Sequence, residues 1–198
     1  MKTKTLVLTA LVAVAINSPA FAHPNHALPT GSGFQAGFAH PWFGLDHLLA
    51  MIAIGLLSVR IGGAAIWVLP FSFLGFLAVG GAFGMAGLDL QVVEMGIAMS
   101  VVILGASLAA GKRYPMIASA IAIGGMGLLH GHAHGTEMPV MATPALYALG
   151  FVAATALLHV LGITAGKWLT QTERRIVMLR FSGAAISFTG AGLLIGAF

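Results

Sequence analysis

Apolar residues form six long runs separated by short connections, and this pattern predicts an all-α integral membrane protein. The runs lie at residues 41–59, 64–85, 92–110, 115–134, 144–166 and 176–197. Each run is close to the roughly 20 residues that a helix needs to cross the hydrocarbon core of a bilayer. Because lipid offers the backbone no hydrogen-bonding partner, each run is predicted to be a transmembrane helix.

The first 22 residues have the features of a signal peptide. A basic start and an apolar core at residues 6–16 are followed by Ala20-Phe21-Ala22, which has the small-x-small pattern of a cleavage site. The alternative is an uncleaved first helix, but about 11 apolar residues are too few to span about 30 Å. We therefore expect a signal peptide at residues 1–22 and one six-helix transporter domain at residues 23–198.

The basic residues predict the orientation of the spans. If the mature N-terminus lies outside the cytoplasm, every later lysine and arginine falls at the cytoplasmic side, namely Arg60, Lys112, Arg113, Lys167, Arg174, Arg175 and Arg180. This distribution agrees with the positive-inside rule. We expect a multi-pass protein of the bacterial inner membrane with both mature termini outside the cytoplasm.

Composition confirms lipid as the solvent and limits the possible chemistry. Hydrophobic residues make up 59% of the chain, charged residues 7%, and the mean hydropathy is +0.99. The pI of about 10.0 does not indicate nucleic acid, because the basic residues are scattered singly or in pairs between apolar runs. Cysteine is absent, so a metal ion could be bound only by nitrogen, oxygen or thioether ligands.

The first span contains ionisable residues that an apolar helix would not carry by default. A charged group at the centre of a bilayer costs about 2.5–3.5 kcal/mol on insertion scales, so Asp46 and His47 are candidates for a functional site. We expect Pro41 at the first helical position. On a straight helix His40 would lie about 10 Å from His47, so a shared ion requires a local break, which Pro41 or Gly44 could supply.

Further ligands must come from other spans, and two places offer them at the same leaflet. Glu94 opens the third span and is followed by Met95 and Met99, which are more readily explained as core residues. His130 and His134 share a face of the fourth span if its helix continues that far. Alternatively, the three histidines at this end could lie in a hydrated loop. His159 in the fifth span could be either structural or a ligand.

Imidazole and carboxylate groups together are typical ligands for borderline divalent ions such as Ni²⁺, Co²⁺ or Zn²⁺. The first span reads His40-Pro-x-x-Gly44-x-Asp46-His47-x-x-x-Met51, and the fourth ends His130-Gly-x-Ala-His134-Gly-x-Glu137. These motifs resemble those of the HupE/UreJ nickel permeases. The resemblance implies uptake of Ni²⁺, with Co²⁺ in some members. It also implies that transport requires His40, Asp46, His47, Glu94, His134 and Glu137, with His130 as a companion and Phe73 as an aromatic contributor.

The predicted function is therefore a secondary transporter or facilitator that imports Ni²⁺ or Co²⁺, with a site on the first, third and fourth spans. We expect no prosthetic group and no enzymatic activity; the partners are the ion and the lipid bilayer. His23 and His26 would capture ions outside, and Met51 could line the path. The alternatives are a haem protein with His47 and His134 as axial ligands, or a histidine-rich metalloenzyme or sensor. The oligomeric state is left open.

Overall fold

The computed structural model describes residues 33–88, 90, 92–138 and 143–196. These residues form helices and short connections, with no strand among them, which confirms the all-α expectation. The helices are α1 (Gly33–Phe43), α2 (Leu45–Ile61), α3 (Ala65–Met85), α4 (Val93–Ala110), α5 (Met116–Thr136), α6 (Pro144–Leu169) and α7 (Glu173–Gly196). The predicted signal peptide, His23 and His26 lie outside the described residues.

The described helices give five candidate spans, or the six predicted if α1 and α2 together form one broken span. Each of α3 to α7 is long and apolar enough to cross a membrane, and α1 with α2 passes the same test as one broken span. For α3 to α7 the bounds differ from the prediction by only a few residues; α5, for example, continues past His134 to Thr136. The largest difference is in the first span, which was predicted from residue 41 but begins at Gly33.

The first span is bent by 80° between α1 and α2. Gly44 joins the two helices in an extended conformation with φ −83° and ψ 112°, which confirms a break at this residue. Pro41 lies inside α1, so the expectation that it opens the first helix was wrong. The short helix α1 is stabilised by packing against α6. The contact is so close that a Cβ on Gly37 would overlap the backbone of Tyr147.

Glycines let α3 and α5 pack backbone against backbone. A Cβ on any of Gly80, Gly84, Gly127, Gly131 or Gly135 would overlap backbone atoms of the facing helix; at Gly127, for example, it would lie 2.5 Å from a carbonyl oxygen. Such small-residue faces are typical of helix pairs in membranes. The close packing fixes the position of the histidine-bearing end of α5.

The basic residues whose contacts are described meet at one end of the bundle, which we call the basic end. Arg60 at the end of α2 donates from Nη2 to the carbonyl oxygen of Gly111 at 2.6 Å. Arg180 donates from Nε to the carbonyl oxygen of Ala109 at 2.9 Å. Both bonds satisfy carbonyls at the C-terminus of α4. Asp46 is in the first turn of α2 and Arg60 is in its last turn. The candidate site therefore lies at the opposite end of the bundle, which we call the histidine end.

Large apolar side chains cover the outside of the bundle. The most exposed are on α7, where Phe181, Phe188 and Ile195 are 72%, 79% and 77% exposed. Such surfaces are rare on soluble monomers, and here they are the surface that contacts lipid. Met95 and Met99 also point outward, with 41% and 39% exposed, so the expectation that they are core residues was wrong.

Candidate metal centre

The bend at Gly44 brings both histidines of the first motif against one imidazole of α5. The ring centroids of His40 and His134 are 4.5 Å apart, and those of His47 and His134 are 4.2 Å apart. On a straight helix His40 and His47 would be separated by about 10 Å along the axis. The break therefore turns two distant imidazoles into neighbours of a third.

His40, His134 and Glu137 form a group with suitable spacing for a metal ion, and we call it the entry group. One ligand atom from each lies within 4.8 Å of the other two. Oε2 of Glu137 is 3.7 Å from Nε2 of His40 and 3.7 Å from Nδ1 of His134. The hydroxyl of Tyr147 is 3.1 Å from Nδ1 of His40 and can fix that ring. Two nitrogens and one carboxylate oxygen suit a borderline divalent ion.

Glu137 follows α5 directly and lies at the mouth of the group. Partial burial raises the pKa of its carboxyl above the ordinary value; the nearby His47 imidazole opposes the rise, and the carboxylates of Glu94 and Asp46 add to it. A cation close to Glu137 would favour the ionised form. The arrival of a cation would therefore stabilise the ionised form of Glu137.

Asp46 orients His47. Oδ1 of Asp46 accepts hydrogen bonds from the backbone nitrogen of His47 at 2.8 Å and from its Nδ1 at 2.7 Å. With the proton on Nδ1 held by the carboxylate, the lone pair of Nε2 is available as a ligand. That Nε2 atom is in hydrogen-bonding contact with Nε2 of His134. A carboxylate that holds the far side of an imidazole is a common arrangement around protein-bound metals.

His130 repeats this arrangement one helical turn below His134. Its Nδ1 donates to the carbonyl oxygen of Met126 at 2.8 Å, and its buried Nε2 has no hydrogen-bonding partner among the described residues. The ring centroid of His130 is 4.7 Å from that of His47. The inner group is our name for His47, His130 and His134. His130 lies deeper in the bundle than His40 and Glu137 of the entry group.

The three histidines of α5 are helical and buried, so the hydrated-loop alternative was wrong. His130, His132 and His134 are 0%, 3% and 4% exposed. His132 faces away from the other two, and its Nε2 is 2.5 Å from the carbonyl oxygen of Leu88, just beyond α3. This contact gives His132 a structural role. The sequence motif alone does not show whether a given histidine is structural or a metal ligand.

Aromatic rings from neighbouring helices pack against the histidines of the entry group and the inner group. The ring centroid of Phe151 lies 4.3 Å from that of His134 and 5.9 Å from that of His40. Phe73, named from the family resemblance, lies against His130 with ring centroids 5.3 Å apart. Sequence reasoning missed Tyr147 and Phe151. Their spacing of four residues on α6 was the available signal, but aromatic residues at that spacing also occur in ordinary cores.

The remaining candidates lie nearby but outside the entry group. Glu94 is in the first turn of α4 and is exposed, at a distance where its charge still acts on Glu137. Met51 is fully buried in the core, one turn below His47 on α2. The histidines of this end therefore come from α1, α2 and α5, and α4 contributes Glu94 at the margin.

Comparison with known proteins shows the family of the chain. A family model described as HupE / UreJ protein matches residues 10–193. The chain is 41% identical over 191 residues to Protein HupE of Rhizobium leguminosarum bv. viciae, covering 96% of this chain and 97% of that relative. No solved structure gives a significant match. The chain therefore belongs to the HupE/UreJ family of multi-pass inner-membrane permeases, which are associated with nickel and cobalt uptake and are not enzymes.

Proposed function

We propose that this chain imports Ni²⁺ or Co²⁺ across the inner membrane by passing the ion through the histidine end. The site comprises imidazole and carboxylate side chains, of which Asp46 orients His47 and Glu94 contributes charge at the margin: His40, Asp46, His47, Glu94, His130, His134 and Glu137. The observation that carries the proposal is the convergence of imidazoles from three helices, each with a second atom held or faced by a carboxylate or carbonyl. Such second contacts set which nitrogen can bind a metal.

The entry group would receive the ion first. Glu137 remains 42% exposed at its side chain, whereas His134 is almost completely buried, so an arriving ion meets the carboxylate before the imidazole. Glu94 adds negative charge at the margin, and His23 with His26 would raise the local ion concentration. Exchange of water for imidazole then proceeds stepwise, so that the ion never loses its whole hydration shell at once.

His134 would pass the ion from the entry group to the inner group. Its Nδ1 faces Glu137 and its Nε2 faces His47, so one ring borders both groups. The inner group then offers Nε2 of His47 and Nε2 of His130, with His47 held by Asp46. Because the two groups share His134, an ion could move from one to the other without being trapped in a single tight site. Transport requires that the ion can leave each site.

The membrane potential suffices to drive this movement. A divalent ion entering a cell whose interior is about 100 mV negative gains about 4.6 kcal/mol. That free energy corresponds to more than about a thousandfold accumulation at equilibrium. A facilitator therefore needs no further energy source, although the mechanism also accommodates proton or sodium coupling.

The geometry disfavours the haem alternative. His47 and His134 were the pair considered as axial ligands, but their ring centroids are 4.2 Å apart and the rings are inclined at 66°. Rings packed this closely leave no room for a macrocycle between them. The same contact is compatible with a single ion bound by both nitrogens after a small separation of the rings.

The test is uptake of ⁶³Ni and ⁵⁷Co by cells expressing the wild type or His47→Ala, with membrane abundance measured for both. We expect His47→Ala to reduce uptake at least tenfold. Phe188→Ala on the lipid-facing surface of α7 is the matched control and should retain uptake, since its ring is 79% exposed. Equal uptake by wild type and His47→Ala would refute the proposed site.

A further inference from the structure

One face of α6 runs from the histidine end deep into the bundle. Tyr147, Phe151, Thr155 and His159 follow one another at intervals of four residues and are 4%, 3%, 0% and 1% exposed. Tyr147 and Phe151 already contact the entry group. At about 1.5 Å per residue, His159 lies about 12 Å farther along the helix than Phe151. The face thus continues from the candidate site past the middle of α6.

The polar atoms of this deeper part have no partners within the described structure. Both ring nitrogens of His159 are buried without a hydrogen bond, and so is the hydroxyl of Thr155. The other threonine of α6, Thr164, makes the usual bond back to the carbonyl of Val160 at 2.8 Å. Native proteins rarely leave buried polar atoms unpaired, so these atoms call for an occupant.

Phe73 connects this pair with the inner group. Its ring centroid lies 5.3 Å from that of His130 and 5.4 Å from that of His159. Phe73 is itself fully buried. One aromatic ring therefore touches the last imidazole of the candidate metal centre and the next imidazole toward the basic end. A change in the orientation of that ring would therefore affect both environments.

We propose that His159 and Thr155 form a second binding station for the transported divalent ion, reached from the inner group past Phe73. This inference rests on the proposed function, because it assigns the next position on the same path. An imidazole nitrogen and a hydroxyl oxygen give a sparser ligand set than the histidine end. The ion would keep part of its hydration shell there and would leave readily toward the basic end.

The first experiment separates binding from transport. His159→Leu should reduce ⁶³Ni uptake at least tenfold, whereas ⁶³Ni binding to the purified protein at the histidine end should change less than about threefold. Val160→Leu is the matched control, since Val160 adjoins His159 but is 50% exposed to lipid, and it should retain both. Wild-type uptake by His159→Leu would overturn the station.

The second experiment reports on the ion at the station itself and does not depend on flux. The chain contains no cysteine, so His159→Cys introduces a single thiol. In membranes, Ni²⁺ should slow alkylation of that thiol by a small maleimide at least fivefold, and it should leave the thiol of Val160→Cys unaffected. Equal rates with and without Ni²⁺ in His159→Cys would overturn the station even if His159→Leu proved inactive.

The two proposals fail differently in these experiments. If His47→Ala keeps wild-type uptake, the histidine end is not the site and the station loses its basis. If His47→Ala is inactive but His159→Leu transports normally and Ni²⁺ gives no protection, the histidine end stands and the station alone is rejected. Loss of uptake in both variants, together with protection by Ni²⁺, supports both.

Discussion

His134 and His47 are in contact through their Nε2 atoms although 87 residues separate them in the chain. The contact requires the break at Gly44, which sets the direction of α2, and the glycine interface, which holds α5 against α3. Asp46 holds His47 on the other side of its ring, whereas Nδ1 of His134 faces Oε2 of Glu137 at 3.7 Å. In the proposed function, a metal ion bound by both nitrogens would replace this contact.

This relationship predicts different roles for two histidines on the same helix. His134→Gln should reduce ⁶³Ni uptake at least tenfold, because it removes the ring that borders both groups. His132→Gln should retain most of the uptake, since an amide can still donate to the carbonyl of Leu88. Uptake normalised to membrane abundance measures both. Similar losses in the two variants would contradict the assignment of His132 to structure.

A second prediction concerns the carboxylate that orients His47. Asp46→Asn keeps the size of the side chain but removes its charge, so the proton on Nδ1 of His47 is held less firmly. Loss of such an outer contact typically weakens metal affinity about 10-fold to 100-fold. Titration of the purified protein with Ni²⁺ should show a decrease in affinity within this range.

The corresponding control is the buried hydroxyl of Ser100, which bonds to the carbonyl of Ile97 on α4. Ser100→Ala removes a buried polar group whose hydrogen bond is to a backbone carbonyl and not to a histidine. It should leave the affinity for Ni²⁺ unchanged. Wild-type affinity in Asp46→Asn would show that the carboxylate does not act through His47.

Glycine substitutions on α5 provide a third prediction, about the fold that holds the site. In Gly127→Ala the new Cβ would lie 2.5 Å from the carbonyl oxygen of Phe73, so α3 and α5 must separate. Overpacking of this kind destabilises proteins by about 1–3 kcal/mol. We expect a lower Tm in detergent and reduced uptake, because Phe73 and His130 move apart.

Gly125→Ala is the matched control for this change. Gly125 lies on the same helix, two residues away, and a Cβ there meets nothing within 4 Å. Alanine also favours the helical conformation over glycine by about 1 kcal/mol. The Tm of Gly125→Ala should therefore be unchanged or higher. A Tm as low as that of Gly127→Ala would mean that the two helices are not packed as described.

The spans and the main candidate residues could be identified from sequence because their signals are local. An apolar run of sufficient length indicates a helix in lipid, and Asp46 with His47 inside such a run indicates function. The helical spacing of His130 and His134 also predicts that they share a face. None of these inferences requires knowledge of which helices are neighbours.

The parts that sequence did not reveal depend on contacts between helices. The 80° bend places His40 beside His134, and no local pattern gives its angle. Phe151 is typical of any membrane helix until its contact with His134 is known. Met95 points to lipid rather than the core, because in a bilayer apolar side chains suit both environments and periodicity cannot choose between them.

A fourth prediction distinguishes the two carboxylates at the margin of the site. Glu137 has its oxygen 3.7 Å from nitrogens of both His40 and His134, whereas Glu94 is exposed and acts on the site through its charge. Glu137→Gln should therefore weaken Ni²⁺ binding to the purified protein at least tenfold. Glu94→Gln should change binding less than about threefold but lower uptake at limiting Ni²⁺, since long-range attraction mainly affects the rate of capture.

Ionic strength separates these two roles further. Surface charge is screened over about 8 Å at physiological salt, so raising the salt concentration should lower wild-type uptake toward that of Glu94→Gln. The deficit of Glu137→Gln should persist at every salt concentration, because a direct ligand is lost. Measurements of initial ⁶³Ni uptake at several salt concentrations, with osmolarity held constant, give both curves. A salt-independent deficit in Glu94→Gln would instead make Glu94 a direct ligand, which would require α4 to move toward the entry group when the ion binds.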